Sequence, residues 1–143
     1  MAVTILKGRV IKAGHAEGVA LVSPEPIGFF GGVDPETGVV VEKGHPLQDQ
    51  CVAGRVLAFP TGKGSTVGSY ILYRLKKNNA APAAIINAES EPIVAVGAII
   101  SEIPMVDGVG LGHMADGDWV EVHDQVITIH PASDAPTTAP TAP

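Results

Sequence analysis

The chain has 143 residues, which is enough for one domain with a real core and too few for two ordinary domains. Hydrophobic residues make up 45% of it and aromatic residues only 4%, and its 17 glycines and 12 prolines favour a β-rich or α/β domain over a helical bundle. A net charge of −6 without any basic run argues against nucleic acid and against anionic membranes as partners.

The first predicted elements form a hairpin. Residues 4–12 alternate loosely between apolar and polar and predict a strand, which turns at Gly14. Residues 17–22 predict the returning strand of that hairpin. The Ser-Pro-Glu-Pro run over 23–26 then ends regular structure.

A glycine-dense loop over 31–38 comes next, in which the Asp34-Pro35 pair disfavours a helix. A short strand over 38–42 and a connector over 44–47 lead to an apolar strand over 54–59. A Pro/Gly-rich turn, the most informative segment of the sequence, follows that last strand.

An amphipathic helix is predicted after this turn, from Ser65 or Thr66 to about Lys77. Its apolar residues fall on one face, and its basic residues lie near the C-terminal end, where the helix dipole favours positive charge. Asn78 and Asn79 are expected to end it.

A strand and a second helix are predicted next. Residues 83–87 form a short apolar run, as expected in the middle of a sheet. Residues 89–92 predict a helix start, with acids in the first turn and Pro92 at or near the first helical position. Residues 93–101 are apolar all round, which predicts a buried segment, although their β-branched content also suits a strand.

Residues 104–107 predict a strand end, and residues 108–112 predict a turn. Strands over 118–123 and 126–130, joined by Asp124-Gln125, predict a closing hairpin. Residues 131–143 contain only Pro, Ala, Ser, Thr and one Asp, so we expect a disordered tail after a domain over residues 1–130. The element order predicts an α/β fold in which two β layers carry helices on one side, a β/β/α arrangement.

The single cysteine, Cys51, excludes an internal disulfide and a self-contained iron–sulfur cluster. It is either a thiol nucleophile or a small residue beside a strand, and the burial habit of free cysteine favours the second interpretation. The five histidines show no metal-ligand spacing, so we expect no zinc site. No run approaches the ~18 apolar residues of a membrane-spanning helix, and no signal peptide is visible, so we expect a cytoplasmic protein.

The turn before the first helix is the strongest candidate site. It carries Lys63 between Gly62 and Gly64 and delivers Ser65 and Thr66 to the helix start. A helix N-terminus offers unpaired N–H groups and the positive end of the dipole, which suits an anionic ligand. The turn is not a Walker P-loop, because Lys63 is followed by Gly64 and the upstream glycine is missing. Two interpretations stay open: a helix cap at Ser65 or Thr66, or a Ser65 hydroxyl that does chemistry.

Other acidic residues have two interpretations each. Residues 31–34 form either a surface turn capped by Asp34 or a backbone nest in which Asp34 orients a substrate. Glu89 and Glu91 are either a carboxylate pair or ordinary dipole partners at a helix start. Three further acids lie among glycines without EF-hand spacing and are expected in turns: Asp107, Asp116 and Asp118.

Four segments carry a family resemblance. They are GGVDPETG over 31–38, FPTGKGSTVGSY over 59–70, APAAII over 81–86 and EPIVAVGAI over 91–99. In this order they resemble the small subunit of aconitase X, most closely its archaeal-type form, and the resemblance runs from about residue 4 to residue 130.

The resemblance implies a swivelling β/β/α domain that works with a separate large subunit, as a heterodimer or a larger assembly. It implies an iron–sulfur cluster on the large subunit, with an open iron site for the leaving hydroxyl, and no cofactor on this chain. It also implies that the serine after the Gly-rich turn, here Ser65, is the proton acceptor. The implied reaction is the dehydration of (R)-5-phosphomevalonate to trans-anhydromevalonate 5-phosphate in an archaeal mevalonate route to isoprenoids.

A free serine hydroxyl is a weak base, so Ser65 needs activation. The helix N-terminus, the loop amides and Lys63 would stabilise its alkoxide, and closure against the partner would exclude water. We expect five residues to contact the small anionic substrate: Gly62, Lys63, Gly64, Thr66 and Asp34. Two alternatives remain, namely dehydration of cis-3-hydroxy-L-proline, as in related bacterial proteins, and a non-catalytic swivel module that binds a small anion or a partner protein.

Overall fold

Eight β-strands and three α-helices follow one another along residues 3–132, the part of the chain that the computed structural model describes. The strands are β1 (Thr4–Lys7), β2 (Arg9–Lys12), β3 (His15–Val22), β4 (Val56–Phe59), β5 (Ala84–Asn87), β6 (Met105–Asp107), β7 (Trp119–His123) and β8 (Val126–His130). The helices are α1 (Phe29–Gly32), which is a single irregular turn, α2 (Val67–Lys77) and α3 (Pro92–Ser101). The strands form one sheet in the order β1-β8-β7-β3-β4-β5-β6-β2.

Strand β3 joins the two halves of this sheet. Its first residues pair antiparallel with β7, and its residues 20–22 pair parallel with β4. The strands β4, β5 and β6 continue the parallel half, and β2 adds antiparallel to β6 at the far edge. Because buried residues of both halves pack into one shared core, the halves lie over one another as two β layers.

The hairpin predicted for residues 4–12 and 17–22 is wrong. Two separate strands, β1 and β2, stand in place of the first, and they lie at opposite ends of the strand order. Gly8 separates them: its N–H donates to the Gln125 carbonyl at 2.9 Å, and a Cβ there would clash with the Val106 side chain. The backbone therefore passes from one β layer to the other at a point with room only for glycine.

Alternate residues of β4 face two separate cores. Val56 and Ala58 face the core between the β layers, and Leu57 and Phe59 face the core beneath the helices. The first core is completed by residues of the antiparallel half: Val120, Val122, Ile127 and Ile129. The second holds residues of both long helices: Ile71, Leu72, Leu75, Val94 and Ala98. The predicted β/β/α arrangement is confirmed.

Both long helices occur where the sequence predicts them. Helix α2 ends at Lys77, with Asn79 in the left-handed region at a φ of 58°. Helix α3 spans the segment predicted to be buried all round, but Val96, Ile99 and Ile100 on it are about half exposed. That prediction of burial is wrong, because a helix packed on one side of a sheet buries only the stripe that faces the sheet.

The remaining differences are local. The strand predicted over 38–42 is reduced to isolated bridges, Val39 with Cys51 and Val40 with Val33. The closing hairpin is confirmed as β7–β8. The tail predicted over 131–143 lies outside the described residues, apart from its first two positions. No helix within residues 3–132 is long and apolar enough to cross a membrane.

Candidate functional site

The carboxyl ends of the parallel strands β4, β5 and β6 meet at one edge of the sheet, and the loops that leave them are tied together. The N–H groups of Ala88 and Glu89 donate to the Pro60 carbonyl at 3.1 and 3.0 Å, and that of Gly108 donates to Ala88 at 3.0 Å. Ligands of α/β sheets bind at such an edge. The predicted site leaves β4 here, in the turn over residues 60–66, which we call the site turn.

A neighbouring segment holds the site turn in place. The Ile27 N–H donates to the Thr61 carbonyl at 3.3 Å, and the Lys63 N–H donates to the Ile27 carbonyl at 3.1 Å. These two bonds form a parallel bridge between Ile27 and Gly62. The turn is therefore fixed to the segment that leads into α1.

The two glycines of the site turn are required for different reasons. Gly64 has a φ of +94°, a conformation that L side chains rarely adopt. Gly62 has no such φ, but a Cβ there would clash with the Glu91 carboxylate and with Val94 at the start of α3. One glycine turns the chain, and the other lets the turn lie against the neighbouring helix.

Ser65 is exposed at the N-terminal end of α2. Its Oγ accepts the Val67 N–H at 3.1 Å, and its carbonyl accepts the Gly68 N–H at 2.9 Å. Thr66 occupies the N-cap position, but its side chain makes no capping hydrogen bond. Ser65 therefore supplies the capping oxygen, and the same amide would stabilise negative charge on that oxygen.

The side chains expected around Ser65 do not converge on its hydroxyl. Within residues 3–132 no carboxylate, ammonium or imidazole group makes a hydrogen bond to the Ser65 Oγ. Lys63 instead forms an ion pair with Glu42, with its Nζ 3.0 Å from the Glu42 Oε2. Sequence reasoning missed Glu42, since the two residues are 21 positions apart and no local pattern pairs them.

Asp34 closes its own turn. Its Oδ1 accepts the Glu36 N–H at 2.9 Å, and its carbonyl accepts the Gly38 N–H at 2.8 Å. The predicted side-chain cap is confirmed. In the described part of the chain no hydrogen bond joins Asp34 to the site turn, so its contact with substrate stays a prediction.

Glu91 acts as the cap of α3. Its carboxylate accepts the N–H groups of Ile93 and Val94 at 3.0 and 2.7 Å, which confirms the helix-start interpretation of this acid. No hydrogen bond links its carboxylate to that of Glu89 within residues 3–132. Because the capped carboxylate also lies against Gly62, it forms part of the wall behind the site turn.

Asp107 is the last residue of β6, which confirms the strand end predicted over 104–107 and shows that the expectation of a turn at Asp107 is wrong. The Arg9 guanidinium donates to both its oxygens at 2.9 and 2.8 Å, and the Ser90 N–H donates to one of them at 3.0 Å. Hydrogen bonding from Arg9 lowers the pKa of this buried carboxyl to about 2. Asp107 thus anchors the loop after β5. Asp116 lies in a turn, as predicted, and accepts the N–H of Val22 at the end of β3 at 2.7 Å, while Asp118 accepts the Ala115 N–H across that turn at 2.9 Å.

The described residues do not fit an iron–sulfur cluster. Cys51, the one cysteine of the chain, is partly exposed beside the Val39 bridge, and its Sγ donates to the Thr37 carbonyl at 3.3 Å. No group of three or more His, Cys, Asp or Glu side chains within residues 3–132 is placed to hold a metal ion. A cluster needs several thiolates, which this chain cannot supply.

The sequence matches known proteins over nearly its whole described length. The family model of the aconitase X swivel domain matches residues 5–130. The phosphomevalonate dehydratase small subunit of Methanosarcina acetivorans is 60% identical over 121 residues, which are 82% of this chain and 84% of that protein. The protein of the same name from Thermococcus kodakarensis is 58% identical, over 82% of this chain and 88% of its own length.

The fold also matches a solved structure. A chain in the crystal structure of holo-form aconitase X from Thermococcus kodakaraensis superposes with a TM-score of 0.86 at 54% identity. The match covers 88% of the present chain and 98% of that one. Sequence and fold therefore point to the same set of relatives.

Proposed function

The chain belongs to the aconitase X swivel-domain family, and from that premise we propose that it is the small subunit of a two-subunit hydro-lyase. The enzyme dehydrates (R)-5-phosphomevalonate to trans-anhydromevalonate 5-phosphate, as a cytoplasmic step of an archaeal mevalonate route. The reaction follows from the names of relatives that are 60% and 58% identical, phosphomevalonate dehydratase small subunits. The large subunit is the required partner.

One observation in the structure carries the site assignment: an exposed serine stands at a helix N-terminus, and no acidic or basic side chain within residues 3–132 makes a hydrogen bond to its Oγ. A serine in this position is a poor base in water. It becomes effective when a partner covers it, because excluding water strengthens its interaction with the helix amides. This arrangement supports a site of which the small subunit builds one half.

Ser65 accepts a proton in the proposed reaction. Dehydration removes a proton from one carbon of the substrate and a hydroxyl group from its neighbour. The Ser65 Oγ takes the proton, and the Val67 N–H stabilises the negative charge on Oγ before the transfer. Afterwards the Ser65 hydroxyl is neutral, and it releases its proton to solvent when the product leaves. That proton and the hydroxide lost from the neighbouring carbon together make up the one water that the dehydration releases.

The rest of the site turn binds the anionic substrate. Lys63 supplies a positive charge, and Gly62, Gly64 and Thr66 shape a turn whose backbone lies at the positive end of α2. Asp34 orients the substrate from the neighbouring turn. We assign the iron–sulfur cluster of this family to the large subunit, and no step assigned to this chain passes through it.

Replacing Ser65 by alanine tests the assignment. In the complex reconstituted with its large subunit, we expect Ser65→Ala to lower kcat by about 10²–10⁴-fold, the usual contribution of a positioned base. Thr37→Ala is the matched control, because the Thr37 Oγ1 accepts the N–H two residues ahead, that of Val39, at 3.2 Å. Both variants lose about 1 kcal/mol of stability, Ser65→Ala through a lost helix cap and Thr37→Ala through a lost hydrogen bond, but only Ser65→Ala should lose turnover with the complex intact. Activity close to wild type in Ser65→Ala would show that this serine is only a cap.

The substrate is tested separately on the wild-type complex. Both (R)-5-phosphomevalonate and cis-3-hydroxy-L-proline are offered after anaerobic reconstitution of the large subunit's cluster. We expect turnover of the first. Turnover of hydroxyproline alone would overturn the proposed reaction while leaving the role of Ser65 open to the same alanine test.

A further inference from the structure

We propose that Glu42 is a built-in counter-ion that occupies the anion subsite of Lys63 and is displaced from it by a phosphate monoester of the substrate. This inference rests on the proposed function, because it concerns the anion that Lys63 binds. It adds to the site a residue that lies 21 positions before Lys63 in the chain.

Both side chains of the ion pair are partly exposed to solvent. The Lys63 Nζ lies 3.0 Å from the Glu42 Oε2, and the two side chains are 46% and 34% exposed. A soluble anion can therefore reach the ammonium without any rearrangement of the fold. To bind the Lys63 ammonium, the anion must displace the Glu42 carboxylate.

The backbone at two glycines borders the pair. A Cβ on Gly28 would lie 3.1 Å from the Lys63 carbonyl oxygen and 3.3 Å from the Lys63 Cγ, so this position leaves space for the lysine stem. At Gly32 a Cβ would lie 3.4 Å from the Glu42 Oε1, which is an ordinary contact. Neither glycine has a positive φ. The lysine stem therefore lies against the backbone at Gly28, and the carboxylate lies close to Gly32.

The backbone around Glu42 is anchored, so the carboxylate is presented to Lys63 by the fold. The Val41 N–H donates to the Gly32 carbonyl at 2.9 Å, and the His45 N–H donates to the Glu42 carbonyl at 3.2 Å. The buried His45 ring fastens the same loop: its Nε2 donates to the Pro26 carbonyl at 2.9 Å, and its Nδ1 accepts the Leu47 N–H at 3.0 Å.

Both members of the pair are fixed to one short segment. Pro26, which holds the His45 ring, directly precedes Ile27, which forms the bridge to Gly62. The distance between the two backbones is therefore set by the fold, and only the side chains need to move when the pair opens. Exchange of one anion for another at Lys63 leaves the site turn in place.

The charges favour the exchange. A phosphate monoester carries about −1.5 to −2 charges at pH 7 and three acceptor oxygens, against one charge on a carboxylate. It therefore competes for Lys63 more strongly than Glu42 does. The Glu42 charge nevertheless weakens binding of any anion, because it must first be moved aside.

Glu42→Gln in the reconstituted complex tests the inference. We expect the KM for (R)-5-phosphomevalonate to fall by roughly three- to fivefold, the value of an exposed ion pair expressed as an affinity, with kcat within about twofold of wild type. Inhibition by inorganic phosphate should tighten by a similar factor. In a Lys63→Met background the same Glu42→Gln change should have no effect, since the ammonium for which it competes is gone.

Glu36→Gln is the matched control, because Glu36 is an exposed acid in an ion pair with Arg74 at 3.4 Å, and its loss changes the net charge by the same amount. We expect its KM to stay at the wild-type value. An unchanged or higher KM in Glu42→Gln, or an equal fall in Glu36→Gln, would overturn the inference.

A second measurement separates this inference from the proposed reaction. Should the wild-type complex fail to turn over phosphomevalonate, inorganic phosphate can still be titrated into the full-length chain and followed through the amide resonances of Gly64 and Ser65. Tighter binding by Glu42→Gln than by wild type supports the counter-ion role, and equal binding rejects it.

Discussion

Two ion pairs join distant segments of this molecule and are built in opposite ways. Arg9 and Asp107, 98 positions apart, share two hydrogen bonds at 2.9 and 2.8 Å, and the Asp107 side chain is only 3% exposed although that of Arg9 is 72% exposed. Lys63 and Glu42 share one contact at 3.0 Å, and both are substantially exposed. The first pair is saturated with partners and supports the framework, whereas the second can exchange its partner for a ligand.

Both pairs belong to the same edge of the sheet, which makes the contrast informative. Asp107 holds the loop after β5 through Ser90, and the adjacent Glu91 backs Gly62 of the site turn. Lys63 lies in that turn itself. At this edge, the contacts of Asp107 and Glu91 set the position of the turn, whereas the more exposed Lys63 side chain is free to bind a ligand.

The largest effect on stability is expected from Asp107→Ala. This change leaves the Arg9 guanidinium and the Ser90 N–H without their acceptor, and we expect the free energy of unfolding to fall by about 2 kcal/mol. Urea denaturation followed by circular dichroism measures it. Asp116→Ala is the control, because Asp116 is an exposed acid that accepts a single N–H, that of Val22. Equal losses in the two variants would show that Asp107 contributes no more to stability than an exposed acid does.

A smaller effect is expected from acid. Hydrogen bonds from Arg9 hold the pKa of Asp107 at about 2, below its ordinary value of 3.8. Because the folded-state pKa is depressed, the stability from this group is fully present above about pH 4 and is lost as the pH falls from about 4 to about 2. Unfolding free energies at a series of pH values should show this loss in wild type and a shallower one in Asp107→Asn. Identical slopes would mean that other carboxylates govern acid unfolding.

The smallest effect on stability is expected from the open pair. Glu42→Gln and Lys63→Met should each change the free energy of unfolding by less than about 0.5 kcal/mol, as for other exposed ion pairs. Lys63→Met should nevertheless raise the KM for phosphomevalonate in the reconstituted complex, and by more than Asp107→Ala does in its folded fraction. If variants of one pair had the larger effect on both stability and KM, the proposed difference in role between the two pairs would be wrong.

Features with short-range causes were predictable from the sequence. Helix α2 follows from a 3.6-residue apolar period and an Asn stop, and the β7–β8 hairpin follows from two strands around Asp124-Gln125. The Asp34 turn and the Glu91 cap are also local, since each carboxylate binds an N–H two or three residues away. Such contacts depend only on residues that are close together in the sequence.

Features that depend on chain topology were missed. The first strands alternate as a hairpin would, but β2 pairs with β6 and β3 pairs with β7 and β4. The apolar outer face of α3 suggested full burial, because a hydrophobic pattern does not say how many sides of a helix are covered. In both cases the local pattern permits several partners and the packing of distant elements selects one.

The sequence by itself determined the layer arrangement, the helix that begins at the site turn, and the presence of Ser65 and Lys63 beside its N-terminus. Only the tertiary structure decided what surrounds them: Glu91 behind Gly62, Asp107 holding the next loop, and Glu42 on the Lys63 ammonium. The reason is physical. Backbone conformation and capping are set by neighbours in sequence, whereas the electrostatic environment of a site is set by charges that folding brings together from 21 to 98 positions apart.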